Sequence, residues 1–168
     1  MRTMVRRLSA GIIILMATVA SAQAQVGVED KTPCDNVAPG AVTVPNDFTL
    51  VYRGGPVQAS FGITTITKLN ASGQASIETI RNRGMKKEQT VNQWQVSKQA
   101  VQRLYANVLA CRFFDLDKSY WNRRVMDGSV SSMDVTAGGK THRVIVHHYP
   151  VTRFSSIVGA LNTALEIR

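Results

Sequence analysis

The stretch SVSSMDVTAGGKTHRVIVHHY, residues 129–149, reads as a β-hairpin and decides the fold class. Met133 and Val135 share one face of the run from Ser129 to Thr136, as a half-buried strand requires. Gly138-Gly139 makes the turn, Thr141 to Tyr149 returns, and Pro150 ends the strand because it lacks an N–H. Asp127-Gly128 forms the approach. Beyond the hairpin, Phe154, Ile157, Val158, Leu161 and Leu165 recur at helical spacing and predict a closing amphipathic helix.

Moving upstream, Val101, Leu104, Tyr105, Val108 and Leu109 follow the i, i+3, i+4, i+7, i+8 pattern of a second helix. Ser97 is its expected N-cap, with Val96 stapled on Val101. Phe113, Phe114, Leu116 and Tyr120 are expected to cover the helix exit. A polar connection carrying Arg81, Arg83, Gly84, Lys86 and Lys87 precedes this helix. Before it, Ile63–Leu69 and Ala75–Arg81 form a hairpin around Asn70-Ala71-Ser72-Gly73. Asn70-Ala71-Ser72 also matches a glycosylation sequon, but the turn accounts for it. Phe48, Leu50 and Tyr52 alternate in an opening strand that Gly54-Gly55-Pro56 breaks. The resulting order is β, β-hairpin, α, β-hairpin, α. It predicts a two-layer α+β domain over residues 47–168, with an antiparallel sheet of about five strands and two helices on one face. Residues 25–46, rich in turn formers, read as an extended lead-in.

Residues 1–24 have the three parts of an export signal: Arg2, Arg6 and Arg7 without an acid, an apolar run from Leu8 to Ala20, and small residues after it. The run falls short of the roughly 20 apolar residues of a membrane span, so no transmembrane anchor is expected after cleavage. Cleavage is expected after about Ala22 or Ala24. Arg6-Arg7 fits a twin-arginine signal poorly, and the apolar core suits general secretion. The first cysteine is Cys34, well inside the mature chain, so the protein is read as periplasmic or secreted and not as a lipoprotein.

The leader changes the charge. The whole chain has 20 Lys and Arg against 11 Asp and Glu, a net charge of +9. Without the three leader arginines, 17 bases face 11 acids and the net charge is +6. Outside the cytoplasm such a surface meets an envelope protein or an anionic envelope polymer, and nucleic acid is disfavoured as a partner. The same charge also serves solubility alone. In an oxidising compartment, Cys34 and Cys111 are expected to pair.

No catalytic grouping emerges. His142, His147 and His148 lie in one strand, where roughly 3.3 Å per residue places His142 and His148 about 20 Å apart and turns His147 to the other face. They read as surface or sheet-edge histidines, and no metal or cofactor is implied. The serines of Gly128-Ser129-Val130-Ser131-Ser132 lack a nucleophile elbow. Cys111 lies on an apolar helix face, and Gly54-Gly55-Pro56 lacks the lysine and helix start of a phosphate loop. Two basic clusters remain as candidate binding surfaces: Arg81, Arg83, Lys86 and Lys87, and Trp121 with Arg123 and Arg124. Arginine beside an aromatic suits a contact surface.

Phe48 to Arg53, Gly73, the run Cys111-Arg112-Phe113-Phe114-Asp115-Leu116, Tyr120, Asp127-Gly128 and Gly138-Gly139 together resemble an uncharacterised family of small bacterial exported and lipoprotein domains. The resemblance covers roughly residues 48–165. It implies no established activity and no site residues. The expectation is an exported, non-enzymatic interaction domain. The alternatives are an inhibitor of an exported hydrolase, whose basic loop enters an acidic cleft, and an enzyme with an unrecognised site.

Overall fold

Seven strands form one sheet in the computed structural model, which describes residues 30–35, 42–57, 61–122, 124–125 and 128–166. The leader, Arg123 and Asp127 lie outside these residues. The strands are β1 (Thr49–Pro56), β2 (Phe61–Asn70), β3 (Gln74–Arg83), β4 (Lys86–Gln95), β5 (Ser119–Trp121), β6 (Ser129–Ala137) and β7 (Lys140–His147). Helices α1 (Lys98–Ala110) and α2 (Thr152–Ala164) complete the domain. The sheet order is β4-β3-β2-β1-β6-β7-β5.

The protein is therefore α+β, but the expected five-stranded antiparallel sheet is corrected to a seven-stranded mixed one. One added strand is β4, in place of the expected polar connection and the approach to the helix. Its sequence, KKEQTVNQWQ, has no apolar alternation because β4 is an edge strand exposed on both faces along most of its length. Its place comes instead from the two-residue turn Gly84-Met85, with Gly84 at φ 63°, which closes a hairpin on β3 and pairs Arg83 with Lys86. The other added strand, β5, has three residues and runs parallel to β7, pairing Tyr120 with Val146. A pairing that short and that far from its partner in sequence leaves no periodic signal.

One face of the sheet carries the core. Leu50, Leu69, Ala75, Met133, Val135 and Val144 are buried against Val101, Leu104, Tyr105 and Val108 of α1 and Phe154, Ile157 and Leu161 of α2. Ser97 caps α1 by accepting the Ala100 N–H at 3.2 Å. Cys34 and Cys111 form a disulfide across 77 residues, tying the segment 30–35 to the end of α1. The Asp35 N–H donates to the Ala110 carbonyl, and the Thr152 N–H to that of Asp30. The Asp30 carboxylate takes two bonds from Arg153, Nε at 3.1 Å and Nη2 at 2.6 Å, in a site where both side chains are nearly buried. Burial opposes ionisation of Asp30, but the bonds from Arg153 and Thr32 outweigh it and hold its pKa below the ordinary value.

Gly138 and Gly139 have φ 58° and 74°, the left-handed pair of a type I′ turn. The Asp47 carboxylate fastens this turn, accepting the N–H groups of Gly138 at 2.8 Å and Gly139 at 2.7 Å. The bonds from Gly139 and Gly138 lower its pKa below 3.8. A depressed folded-state pKa stabilises the fold above the unfolded value and loses that contribution as pH falls through the folded one. Asp47→Asn is therefore expected to lower the thermal midpoint at neutral pH, with the difference from wild type shrinking as pH falls below about 4. A difference constant with pH in scanning calorimetry would refute the charge-based bond.

Candidate binding surface on the helix-free sheet face

Side chains alternate across a strand, so the neighbours of the core residues point away from the helices. The register aligns them in a row across six strands: Arg143 beside Asp134, then Val51, Lys68, Ser76 and Gln93. A second row holds Thr49 beside Asn70 and Gln74 beside Gln95. Where these rows cross β1 to β4, the sheet forms a groove of about 600 Å³. That volume lies in the range of small-molecule and polymer-segment sites.

The two rows differ in chemistry. The outer row is stitched by its own amides. The Asn70 Oδ1 accepts from the Ser72 hydroxyl at 2.7 Å and the Gln74 N–H at 3.0 Å. The Gln95 amide donates to the Ser72 carbonyl at 2.6 Å. These bonds fix the groove end at the β2–β3 turn. In the inner row, Lys68, Ser76 and Gln93 have no side-chain hydrogen bond or ion pair among the described residues. Lys68 and Gln93 are exposed and Ser76 is half-buried, so their donors and acceptors remain open to a ligand.

The charge of this face is biased. Arg53 and Arg143 both contact the Asp134 carboxylate, Arg143 at 3.5 Å, so two cations share one anion. Glu78 accepts from Gln89 at 2.8 Å and lies on the same face, as does Lys87. Four cations (Arg53, Lys68, Lys87, Arg143) thus face two carboxylates, and Lys68 is the cation on the groove floor.

The residues singled out in the sequence fall elsewhere. Arg81, Arg83, Lys86 and Lys87 lie along the β3–β4 hairpin toward its tip, all exposed, rather than in a connection. Arg81, Arg83 and Lys86 are on the helix side of the sheet and Lys87 on the other. Trp121 is in β5 at the opposite edge, with Arg124 in the loop beyond it. Six strand spacings of about 4.8 Å separate β4 from β5, so the two basic clusters do not form one surface. Lys68 and Ser76 carry no signal in the sequence beyond being outward strand positions, and Gln93 carries none, because its strand was not legible. The groove exists only once four strands are in register.

The histidines divide three ways. His142 Nε2 lies 2.8 Å from the Leu116 carbonyl, with its ring edge-on to Phe113. His148 is exposed with φ 45°, at the rim of a cleft of about 250 Å³ lined by Tyr52, Ser129, Ser131 and Ser155. Ser131 bonds the Tyr52 hydroxyl there, at 3.2 Å. His147, expected at the surface, is 1% exposed instead. The indole of Trp121 stacks on it at 4.1 Å and 9°, and neither ring nitrogen has a hydrogen-bond partner among the described residues. A residue reached through a parallel partner strand is not visible to alternation alone. Among the described residues no three His, Cys, Asp or Glu side chains group as a metal site, and no helix is long and apolar enough to cross a membrane.

No family model matches the chain, and none of the curated proteins compared with it matches. What the groove binds must follow from its own chemistry.

Proposed function

We propose that the protein is an exported, non-enzymatic binding domain whose helix-free sheet face engages an anionic, hydroxyl-bearing envelope polymer. The observation that carries this reading is Lys68 on the floor of the groove, with no carboxylate partner among the described residues, and with Ser76 and then Gln93 beyond it in the same row. An ammonium attracts phosphate or carboxylate groups, and amide and hydroxyl side chains pair with sugar hydroxyls. Export is supported by the charged, apolar and small-residue parts of the leader, with cleavage after about Ala22 or Ala24. The Cys34–Cys111 disulfide fits an oxidising compartment. The resemblance to small exported domains carries the same localisation.

Binding to purified lipopolysaccharide, followed by titration calorimetry, tests the reading. Lys68→Glu is expected to weaken binding about tenfold or more, the loss of a charge-assisted contact. Added salt should weaken the wild-type interaction as well. Substituting Lys86 and Lys87 by Glu at the hairpin tip should have the smaller effect. Wild-type affinity in Lys68→Glu would overturn the assignment to the groove.

One observation favours inhibition of an exported hydrolase as a second reading. Met85 is fully exposed at the tip of the β3–β4 hairpin, with Arg83 and Lys86 beside it. A protruding basic hairpin with an apolar tip suits insertion into an acidic cleft. Hydrolase activity in an envelope extract should then fall on adding the protein and survive on adding Met85→Asp. Equal effects of the two proteins would exclude the tip.

A further inference from the structure

The outer edge of β4 is the longest unpaired strand edge among the described residues, ten residues from Lys86 to Gln95. The Val96 N–H donates to the Gly73 carbonyl at 2.8 Å, on the β3 side. Backbone groups of a strand alternate sides in step with its residues, so Trp94, Asn92 and Thr90 also bond toward β3. Gln89, Val91, Gln93 and Gln95 then present their N–H and C=O groups to the open edge. Such a row templates another strand unless charge, proline, a bulge or a covering element blocks it. Here the only charges are Lys86, Lys87 and Glu88 at one end. The seven residues from Gln89 to Gln95 have no charge, no proline and no glycine. Val91 is 51% exposed in their middle.

We propose that two copies of the protein pair through β4, antiparallel about a two-fold axis at Val91. Charge placement selects the second copy as the occupant. With Val91 opposite its own mate, Gln89 faces Gln93, Thr90 faces Asn92, Lys87 faces Gln95 and Glu88 faces Trp94. No like charges stand opposite one another. The two lysine pairs lie at opposite ends of the ladder, with Lys87 about 25–30 Å from its mate. Centring on Thr90 would keep as many strand pairs, but it brings the lysines closer together and puts residues bonded to β3, not the open-edge residues, on the axis; sliding further toward the lysine end shortens the ladder as well. The pairing joins two seven-stranded sheets into one and sets the two grooves side by side on the same face. It uses backbone groups, so it stands or falls separately from polymer binding.

Sedimentation equilibrium of the purified protein measures the assembly, and the expected mass at micromolar concentration is twice that of the chain. Val91→Pro removes an N–H that points to the mate and none that bonds β3. It is expected to weaken the dimer at least tenfold, with the circular dichroism spectrum and unfolding midpoint of dilute protein unchanged. Val91→Cys is expected to form an intermolecular disulfide without reductant, because hydrogen-bonded antiparallel neighbours lie about 5.5 Å apart at Cα. Glu88→Cys, about 20 Å from its mate in this register, is expected not to. A monomer at all concentrations overturns the proposal and leaves the edge to an extended segment of another protein. A dimer that survives Val91→Pro, or that crosslinks through position 88 and not 91, overturns it equally.

Discussion

Replacing both Cys34 and Cys111 by Ser is expected to lower the thermal midpoint by about 15 °C. The bond joins residues 77 apart, and cross-linking a loop of that length stabilises by roughly 4–5 kcal/mol through the entropy removed from the unfolded chain. For a domain of this size, each kcal/mol shifts the midpoint by about 3–5 °C. The folded state supplies a second reason. Cys111 is fully buried at the end of α1, and the segment it anchors carries the Asp30 carboxylate to Arg153 and the Asp35 N–H to the Ala110 carbonyl. Freed from the disulfide, that segment loses its covalent tie to α1 and depends on non-covalent contacts such as the Asp30–Arg153 ion pair and these backbone bonds. The double variant avoids an unpaired thiol, and scanning calorimetry of both proteins without reductant is the measurement. A shift under about 2 °C would show that the Asp30–Arg153 pair holds the segment by itself.

Gly73→Ala is expected to destabilise the fold by about 3 kcal/mol or more, for two reasons that act together. Gly73 has φ 86°, a conformation that L-residues with a side chain rarely adopt. A Cβ there would lie 2.3 Å from the Val96 carbonyl oxygen and 2.6 Å from the Gln95 amide nitrogen. The Val96 carbonyl is backbone, and the Val96 N–H bonds back to Gly73, so the clash can be relieved only by parting the end of β4 from the β2–β3 turn. The same movement disturbs Asn70, Gln74 and Gln95 at the end of the groove, so loss of stability and loss of polymer binding should appear together. Gly138→Ala is the control. Its φ is 58°, but nothing lies within 4 Å of the added Cβ, and it should cost only about 1–2 kcal/mol. Equal midpoints for the two variants in denaturant unfolding would show that the contact with Val96 relaxes freely.

The parts of the fold legible in the sequence are those with one buried face. Leu69 and Ala75 face each other across the hairpin that Asn70–Gly73 closes, and Met133 lies opposite Val144 across the Gly138-Gly139 turn. The helix stripes were visible in the same way, since Leu104 and Ile157 recur at the spacing that a core imposes. β4 was illegible for the converse reason. A strand exposed on both faces has no need to alternate, and Lys86-Lys87-Glu88-Gln89 looks the same as a solvated connection. β5 was too short, and its partner too distant, to leave a period.

The candidate site divides along the same line. Arg81, Arg83, Lys86 and Lys87 stand out in a linear reading because they are close in sequence, yet pleating and the tight turn at Gly84-Met85 spread them over two faces of a hairpin. Lys68, Ser76 and Gln93 are separated by 8 and 17 residues and become neighbours only through two strand pairings. His147 reads as an outward residue, and the indole of Trp121 buries it.

The sequence by itself determined the α+β class, the two helix stripes and the two glycine-bearing hairpin turns, because each follows from local periodicity or turn chemistry; it gave the Cys34–Cys111 bond as an expectation, which the structure shows. Tertiary structure alone decided the strand number, the parallel edge, the groove on the helix-free face and the burial of His147. These depend on register between distant segments, and register is fixed by which faces the core covers, a property that no single stretch of chain contains.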